Sequence, residues 1–296
     1  MSTNFVSFTH ATICQLNEVG RWRTAERYSI VIRSFESFLN GRRLSLEALD
    51  ARLLLGYEMY LRERGVCPNT VSYYMRNLRA IYNRAVEQEL TSQRYPFKPV
   101  YTGIDRTVKR AVPMSVVREI RELDLASQPL TDWARDLFLF SFYTRGMSFV
   151  DMAFLKKSDL HHGVLSYRRK KTGQRLFIKW EKPMQELIDK YPASDSPFLL
   201  PIIRNNGQDE WKQYINASHL ANNKLKKIGE ELGLSAPLTM YVARHGWASI
   251  AQSKNVPVSV ISEALGHDSE KTTRIYLASL DSSMVDHANS LILESL

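Results

Sequence analysis

Toward the C-terminal end of the chain, Tyr241-x-x-Arg244 is followed by Gly266-His267 and then by Tyr276, with Thr272-Thr273 just ahead of that tyrosine. A guanidinium, an imidazole and a phenol at these intervals are the groups needed to attack a DNA phosphate without a metal. The planar fork of an arginine donates two parallel hydrogen bonds to two non-bridging oxygens, which a lysine cannot do. An imidazole at His267 donates to a phosphate oxygen or exchanges a proton near neutral pH. The phenol of Tyr276 would be the nucleophile; with a free pKa of about 10, its ionisation at pH 7 costs roughly 4 kcal/mol unless cations or a base offset it. Arg244, His267 and Lys171 would supply that offset. Lys171 lies in Lys170-Lys171-Thr172-Gly173-Gln174, where the tip of a turn gives it the reach to enter a DNA groove and protonate a departing 5′ oxygen. Singly, each residue has an ordinary reading: a surface ion pair for Arg244, a packed or capping histidine for His245, a helix-dipole partner for His267, core for Tyr276. The combination carries the signal.

The elements that must position these groups can be read nearby. Thr239 can cap a helix whose first turns hold Tyr241, Arg244 and His245, and that end of a helix favours an anion. Ile261 to Asp268 reads as a short helix stopped by Gly266, with His267 immediately after the stop. Val164 to Arg169 and Arg175 to Trp180 are strand-like runs flanking the lysine turn, and Gly173 suits a hairpin. Ser115 to Leu123, Thr131 to Thr144 and a segment from Ser148 read as helices, as does most of the chain from Pro183 onward, interrupted at residues 192–208 and 233–237.

The first hundred residues read as helices too. Ala25, Tyr28, Ile32, Phe35 and Leu39 step by three and four before Asn40-Gly41. Ser45 opens a second helix carrying Leu46, Leu49, Leu53, Tyr57 and Leu61, ending at Gly65, and a third runs from Asn69-Thr70 to Ala85. Arg76, Arg79 and Tyr73 on the third helix, and Arg23 and Arg27 on the first, lie off the apolar stripes. With the rest of the chain they form a face for gripping DNA phosphates. Tyr95 to Gly103, with two prolines and a glycine, reads as an interdomain linker, continued by the basic strap Thr107 to Ala111. The expectation is a mainly α protein: a helical domain over residues 1–104, and an α+β domain with a small antiparallel sheet over residues 105–296.

Composition narrows the function. The 296 residues include 40 Lys and Arg against 31 Asp and Glu, a net charge of +9, and the pI is near 9.5. A basic excess spread along a folded chain points to a polyanionic partner. Cys14 and Cys67 are the two cysteines, with neither disulfide-framework nor zinc spacing. No signal segment or run of about 18 apolar residues is present, so a cytoplasmic location without a membrane span is expected.

Lys171-Thr172-Gly173, Arg244-His245, Leu265-Gly266-His267 and Thr272-Thr273-x-x-Tyr276 resemble, in order and spacing, the catalytic domain of the tyrosine recombinase (phage integrase) family. The preceding helical segment resembles that family's core-binding domain. The resemblance implies that Tyr276 attacks a DNA phosphate to give a 3′-phosphotyrosyl link and a free 5′-hydroxyl, which then attacks the partner strand. It implies strand-by-strand exchange through a four-way junction in a tetramer on double-stranded DNA with inverted-repeat core sites. No cofactor or metal is called for, because the phosphotyrosyl bond retains the energy of the broken linkage. Arg244 would clamp the phosphate, His267 would assist and Lys171, flanked by Lys170, would be the general acid. The tail at residues 279–296, with Met284, Ala288, Leu291 and Ile292 in helical rhythm, either packs on its own domain or, as in the family, docks on a neighbouring subunit.

Two positions depart from the pattern. Tyr241 stands where the family has a histidine; it can donate a hydrogen bond but is a poor base at neutral pH. Ser148, in Gly146-Met147-Ser148-Phe149-Val150-Asp151-Met152, stands where the first catalytic arginine belongs. This resembles integrases of some conjugative transposons. Arg145, across a tight turn, is the candidate replacement, with Ser148 contributing a neutral hydrogen bond to DNA and forming a capping box with Asp151. Both departures keep open an inactive DNA-binding protein of the same fold, and a DNA-relaxing enzyme of the same chemistry is a third possibility. The short N-terminal region favours inversion or simple integration over a large regulated complex.

Overall fold

The computed structural model describes residues 3–105, 111–192, 195–205, 207–277 and Leu293, and the side chains of Ile275 and Tyr276 fall outside the described set. The basic strap over residues 107–110 and the rhythm of Met284, Ala288, Leu291 and Ile292 lie outside it too. The chain divides into two compact units, residues 1–107 and 108–296.

The first unit holds α1 (Phe5–Glu18), α2 (Trp22–Leu39), α3 (Ala51–Glu63) and α4 (Pro68–Glu87). Its centre is aromatic: Phe35 meets Phe5 and Tyr57 edge-on, with ring centroids 5.9 and 4.9 Å apart, and the buried Tyr57 hydroxyl donates to Ser34 Oγ at 2.8 Å. Asn40 adopts φ 47° and Gly41 φ 79° where α2 stops, as the Asn-Gly pair predicts. The expected second helix is split. Ser45 caps only a single 3-10 turn, Leu46–Ala48, and Asp50 accepts from Leu53 N at 2.8 Å to start α3.

The segment expected to be a linker belongs to this unit. Phe97 and Val100 are buried in its core, Ser72 Oγ donates to Gly103 O at 2.6 Å, and Tyr101 N donates to Glu58 Oε2 at 2.8 Å. Its prolines break helical period without making the chain free, because two apolar side chains tie it down. Arg23, Arg27, Arg76 and Arg79 are all exposed, on α2 and α4, which pack together. The positive charge of Arg27 reaches Tyr73, whose pKa is nevertheless raised, chiefly by burial.

The second unit contains α5 (Met114–Glu122), α6 (Pro129–Tyr143), α7 (Phe149–Ala153), the antiparallel strands β1 (Leu160–His161), β2 (Val164–Arg168) and β3 (Arg175–Lys179), then α8 (Lys182–Asp189), α9 (Glu210–Glu231), α10 (Met240–Ser253), α11 (Val258–Leu265) and α12 (Glu270–Leu277). α6 is the core helix: Trp133, Leu137, Phe138, Phe140 and Phe142 are all buried, and α9 and α10 pack on it. The sheet order is β1-β2-β3, with Leu165 opposite Ile178 and Tyr167 opposite Leu176 on the inward face. Two-residue periodicity predicts β2 and β3 well; β1, two residues long, is too short to show a period.

Candidate active site

Arg244 lies one turn into α10 and is 4% exposed. Its Nη1 donates to Gly146 O at 2.8 Å and its Nη2 to Leu265 O at 2.5 Å. Thr239 occupies the position before the helix, but its side chain makes no capping bond; Asn222 Oδ1 on α9 accepts from Met240 N instead, at 2.9 Å. Both carbonyls holding Arg244 flank turns built on left-handed backbone. Arg145 and Gly146 adopt φ 60° and 73°, and Gly266, at the end of α11, adopts φ 62°. A side chain at Gly146 would sit 2.6 Å from Arg244 Cα, so a residue with no Cβ is required there both by φ and by space.

His267 follows Gly266 directly. Its Nε2 lies 3.1 Å from Arg244 Nη2, and its Nδ1 lies 2.7 Å from the hydroxyl of Thr273 on α12. Its pKa is pushed down to about 4 by burial first, then by the positive charges of Arg244, Arg169 and Lys171. That set of causes places four residues from three sequence-distant segments in one electrostatic neighbourhood: the β2–β3 turn, the start of α10 and the end of α11 converge here.

Lys171 is exposed on the loop closed by Arg169 N donating to Gln174 O and Gly173 N donating to Arg169 O, each at 2.8 Å. Thr172 Oγ1, 3.5 Å from Gly266 O, holds the loop against the α11 turn. Lys170 is drawn the other way, its Nζ lying 4.0 Å from the centroid of the Phe154 ring.

Arg169 is the residue that motif reading passes over. It is 6% exposed; its Nη1 donates to Gly266 O at 2.5 Å, and its buried Nε has no hydrogen-bond partner among the described residues. The signal was available: Arg169 directly follows β2 and continues the alternation of Leu165 and Tyr167, so an arginine falls on the inward side, where a buried charge calls for a partner or a ligand. Tyr167 is nearly buried and its pKa is raised, by burial foremost and then by Asp151, while Arg244, Arg169 and Arg145 act to lower it. The arginines thus gather around the floor of one site.

Arg145 is half-buried and its Nη1 donates to Phe177 O on β3 at 3.3 Å. Ser148 and Asp151 make neither backbone bond of the expected capping box, the Ser148 side chain capping no N–H of α7. Ser148 Oγ donates to Asp151 Oδ2 at 2.5 Å, but Asp151 Oδ1 accepts from Lys170 N at 2.8 Å rather than from the Ser148 amide. The buried carboxylate fastens the base of the lysine loop to α7, which commits the Ser148 hydroxyl to the protein. Tyr241 is 58% exposed, its ring edge-on to His245 with centroids 4.5 Å apart, and His245 is packed, 7% exposed. Tyr276 lies on α12, three residues after Thr273. Among the described residues no group of three His, Cys, Asp or Glu side chains could hold a metal ion, and no helix is long and apolar enough to cross a membrane.

A helical domain ahead of an α+β domain, with a loop lysine, a buried arginine and a histidine converging near a tyrosine-bearing helix, defines a tyrosine-recombinase architecture. Residues 4–100 match the phage integrase SAM-like domain and residues 123–283, more than half of the chain, match the phage integrase family. The chain belongs to the phage integrase family. It is 22% identical to the tyrosine recombinase XerD of Listeria innocua serovar 6a, over 86% of each protein. It is 26% identical to the tyrosine recombinase XerC of Roseiflexus castenholzii, over 90% of this chain and 86% of that one. In fold it is similar to lambda integrase in a tetramer bound to a Holliday junction (TM-score 0.69, 16% identity, 93% of this chain and 77% of that one). The Tn1549 transposon integrase bound to transposon right-end DNA is also similar (TM-score 0.65, 14% identity, 99% of each).

Proposed function

We propose that this protein is a site-specific recombinase that cuts and rejoins double-stranded DNA through Tyr276, working in the cytoplasm as a tetramer on inverted-repeat sites. The observation that carries the reading is the convergence of cations on His267, with Arg244 Nη2 3.1 Å from its Nε2, Arg169 bound to the adjacent Gly266 carbonyl and Lys171 adding to the positive field, beside the helix that bears the tyrosine. Bringing an anionic phosphate into that field reverses the sign of the interaction, so the cations that repel a proton from His267 hold the phosphate and the developing charge.

In the proposed reaction the Tyr276 oxygen bonds to phosphorus as the bond to the 5′ oxygen breaks. The phenol proton passes to His267, and Lys171 gives a proton to the leaving oxygen. Arg244 donates to one face of the phosphate. We assign Arg169 as the second clamp, because it is buried beside the half-exposed His267 and has an Nε–H unpartnered among the described residues, and place Arg145 at the rim. Tyr241, exposed on the first turn of α10, orients the phosphate by donating a hydrogen bond. The 5′-hydroxyl then attacks the phosphotyrosyl of the partner strand. Arg23, Arg27, Arg76 and Arg79 grip the duplex, with Lys170 beside the lysine loop. Residues 279–296 are the proposed contact between subunits. The chemistry serves integration, excision or inversion alike.

The test is a nicked duplex carrying the repeats that the protein protects from nuclease at stated salt. Wild type is expected to accumulate a covalent protein–DNA adduct and Tyr276→Phe none. A protected site with no adduct from wild type would leave a DNA-binding protein instead.

A further inference from the structure

We infer that Thr273 is a positioning residue: its hydroxyl, carried on α12, pairs with His267 Nδ1 and, together with Arg244 at Nε2, holds the Nδ1-protonated tautomer, so that the histidine's chemistry depends on the docking of the helix that bears Tyr276. The inference rests on the reading of His267 and Tyr276 given above.

An arginine has N–H donors and no acceptor, so at 3.1 Å from Arg244 Nη2 the His267 Nε2 must accept. A neutral imidazole carries one proton, which therefore sits on Nδ1 and is donated to Thr273 Oγ1 at 2.7 Å. The ring thus presents a lone pair to the arginine side and a proton to α12. The opposite tautomer would set Nε2–H against an arginine N–H, so Arg244 disfavours it; the Thr273 hydroxyl, able to donate or accept, takes the Nδ1 proton this leaves and spares it an unpaired position in a buried setting.

The two ends of His267 are tied to different elements. Its backbone N–H donates to Ser262 O of α11 at 3.0 Å, whereas its ring is held by α12. Thr273 is 0% exposed, and Leu277, one turn further on the same helix, is buried among Ala248, Ala251, Ile261 and Leu265 of α10 and α11. Seating Leu277 therefore delivers the Thr273 hydroxyl to Nδ1, in the same movement that brings in the turn carrying Tyr276, three residues later. With α12 unseated the ring loses the partner that pairs with its Nδ1 proton. Nε2 can take the phenol proton only while it holds a lone pair, so the acceptor is readied by the helix that supplies the nucleophile.

The experiment compares full-length Thr273→Val, which keeps the shape and loses the hydroxyl, with Thr273→Ser, which keeps the hydroxyl. Long-range proton–nitrogen correlation spectra of the DNA-free, ¹⁵N-histidine-labelled protein report which ring nitrogen of His267 is protonated. Wild type and Thr273→Ser are expected to show protonated Nδ1, and Thr273→Val a mixture or the opposite form. Single-turnover adduct formation is expected to fall on the order of 10- to 100-fold in Thr273→Val and to stay within about 3-fold in Thr273→Ser. Should Thr273→Val unfold, Thr273→Cys, a weak acceptor of similar size, takes its place. Protonated Nδ1 and wild-type rates in the hydroxyl-free variant overturn the inference. Failure of wild type to form any adduct overturns the recombinase reading instead, while the tautomer measurement, made without DNA, still decides the hydrogen-bonding claim.

Discussion

Replacing Gly146 by alanine tests whether the left-handed turn before α7 exists to seat Arg244. The added methyl would stand 2.6 Å from Arg244 Cα, 2.8 Å from its Cγ and 2.9 Å from its Cβ. Ordinary carbon contacts begin near 3.5 Å, so the turn or α10 must retreat by about 1 Å, and one of the three atoms is backbone that no rotamer change can move. Two costs add. Holding alanine at φ 73° costs roughly 1–2 kcal/mol, and the overpacking roughly 1–3 kcal/mol. The sum, about 2–5 kcal/mol, corresponds to a fall of roughly 5–15 °C in the melting temperature of a unit this size.

Catalysis should suffer separately. Gly146 O accepts from Arg244 Nη1 at 2.8 Å, and a displacement of about 1 Å at a positioned catalytic group costs on the order of 10²-fold in rate. Gly163→Ala is the matched control. Gly163 has the same φ of 73°, and a methyl there meets nothing within 4 Å, so it should carry the backbone cost alone, with cleavage intact. Calorimetry on both variants, paired with single-turnover adduct formation below the melting point, separates the terms. If Gly146→Ala matches Gly163→Ala in both readings, the turn is not a seat for Arg244.

Other consequences follow from the same geometry. Arg169→Ala is expected to lower adduct formation at least 10²-fold, close to Arg244→Ala and well beyond Arg145→Ala; an Arg145→Ala loss exceeding that of Arg169→Ala would return the second clamp to Arg145. If Lys171 is the general acid, Lys171→Ala should lose on the order of 10²-fold on an ordinary phosphodiester but only a few-fold on a 5′-bridging phosphorothiolate, whose thiolate leaves without a proton; equal losses on both would assign Lys171 to binding. His267 titrates near 4 when folded and near 6.5 when unfolded, so between those values the unfolded chain holds the extra proton and stability must fall as pH falls. For a half-exposed ring the effect is discounted to about 1 kcal/mol. Urea unfolding at pH 7 and pH 4.5 should show a smaller acid loss in His267→Gln than in wild type, and an equal loss would contradict the depressed pKa.

Much of this site was legible because the relevant signals are local. Gly173 marks the lysine loop, Gly266 stops α11, and alternation along β2 and β3 fixes their inward faces. What escaped depends on tertiary context. Tyr95 to Gly103 has linker chemistry, yet burying Phe97 and Val100 makes it part of the first unit. Thr239 is a good cap by type, but Asn222 from another helix took the role. The Ser148-x-x-Asp151 spacing promises a capping box, but the Ser148 hydroxyl turns to one carboxylate oxygen of Asp151 and the amide of Lys170, far along the sequence, claims the other, so neither capping bond forms. Arg169 went unread because motif comparison looks for a cation at the position of Ser148 and not two residues before Lys171.

The position of Arg169 bears on how such a site tolerates a serine where an arginine is expected. Three N–H groups of Arg244 and Arg169 are held by the carbonyls of Gly146, Leu265 and Gly266. Carbonyls orient a guanidinium without cancelling its charge, so the field stays positive, and after burial it is these cations, with Lys171, that lower the pKa of His267. A carboxylate in the same place would fix the geometry equally well and neutralise the pocket. Asp151, the buried acid nearby, accepts from Ser148 Oγ and Lys170 N instead; it therefore stiffens the loop that carries Lys171 rather than quenching the arginines. What a phosphate needs from this fold is a preorganised positive field. On the proposed assignment, a buried residue directly after a strand would supply that charge as well as a residue at the start of a helix, provided that a backbone carbonyl holds it.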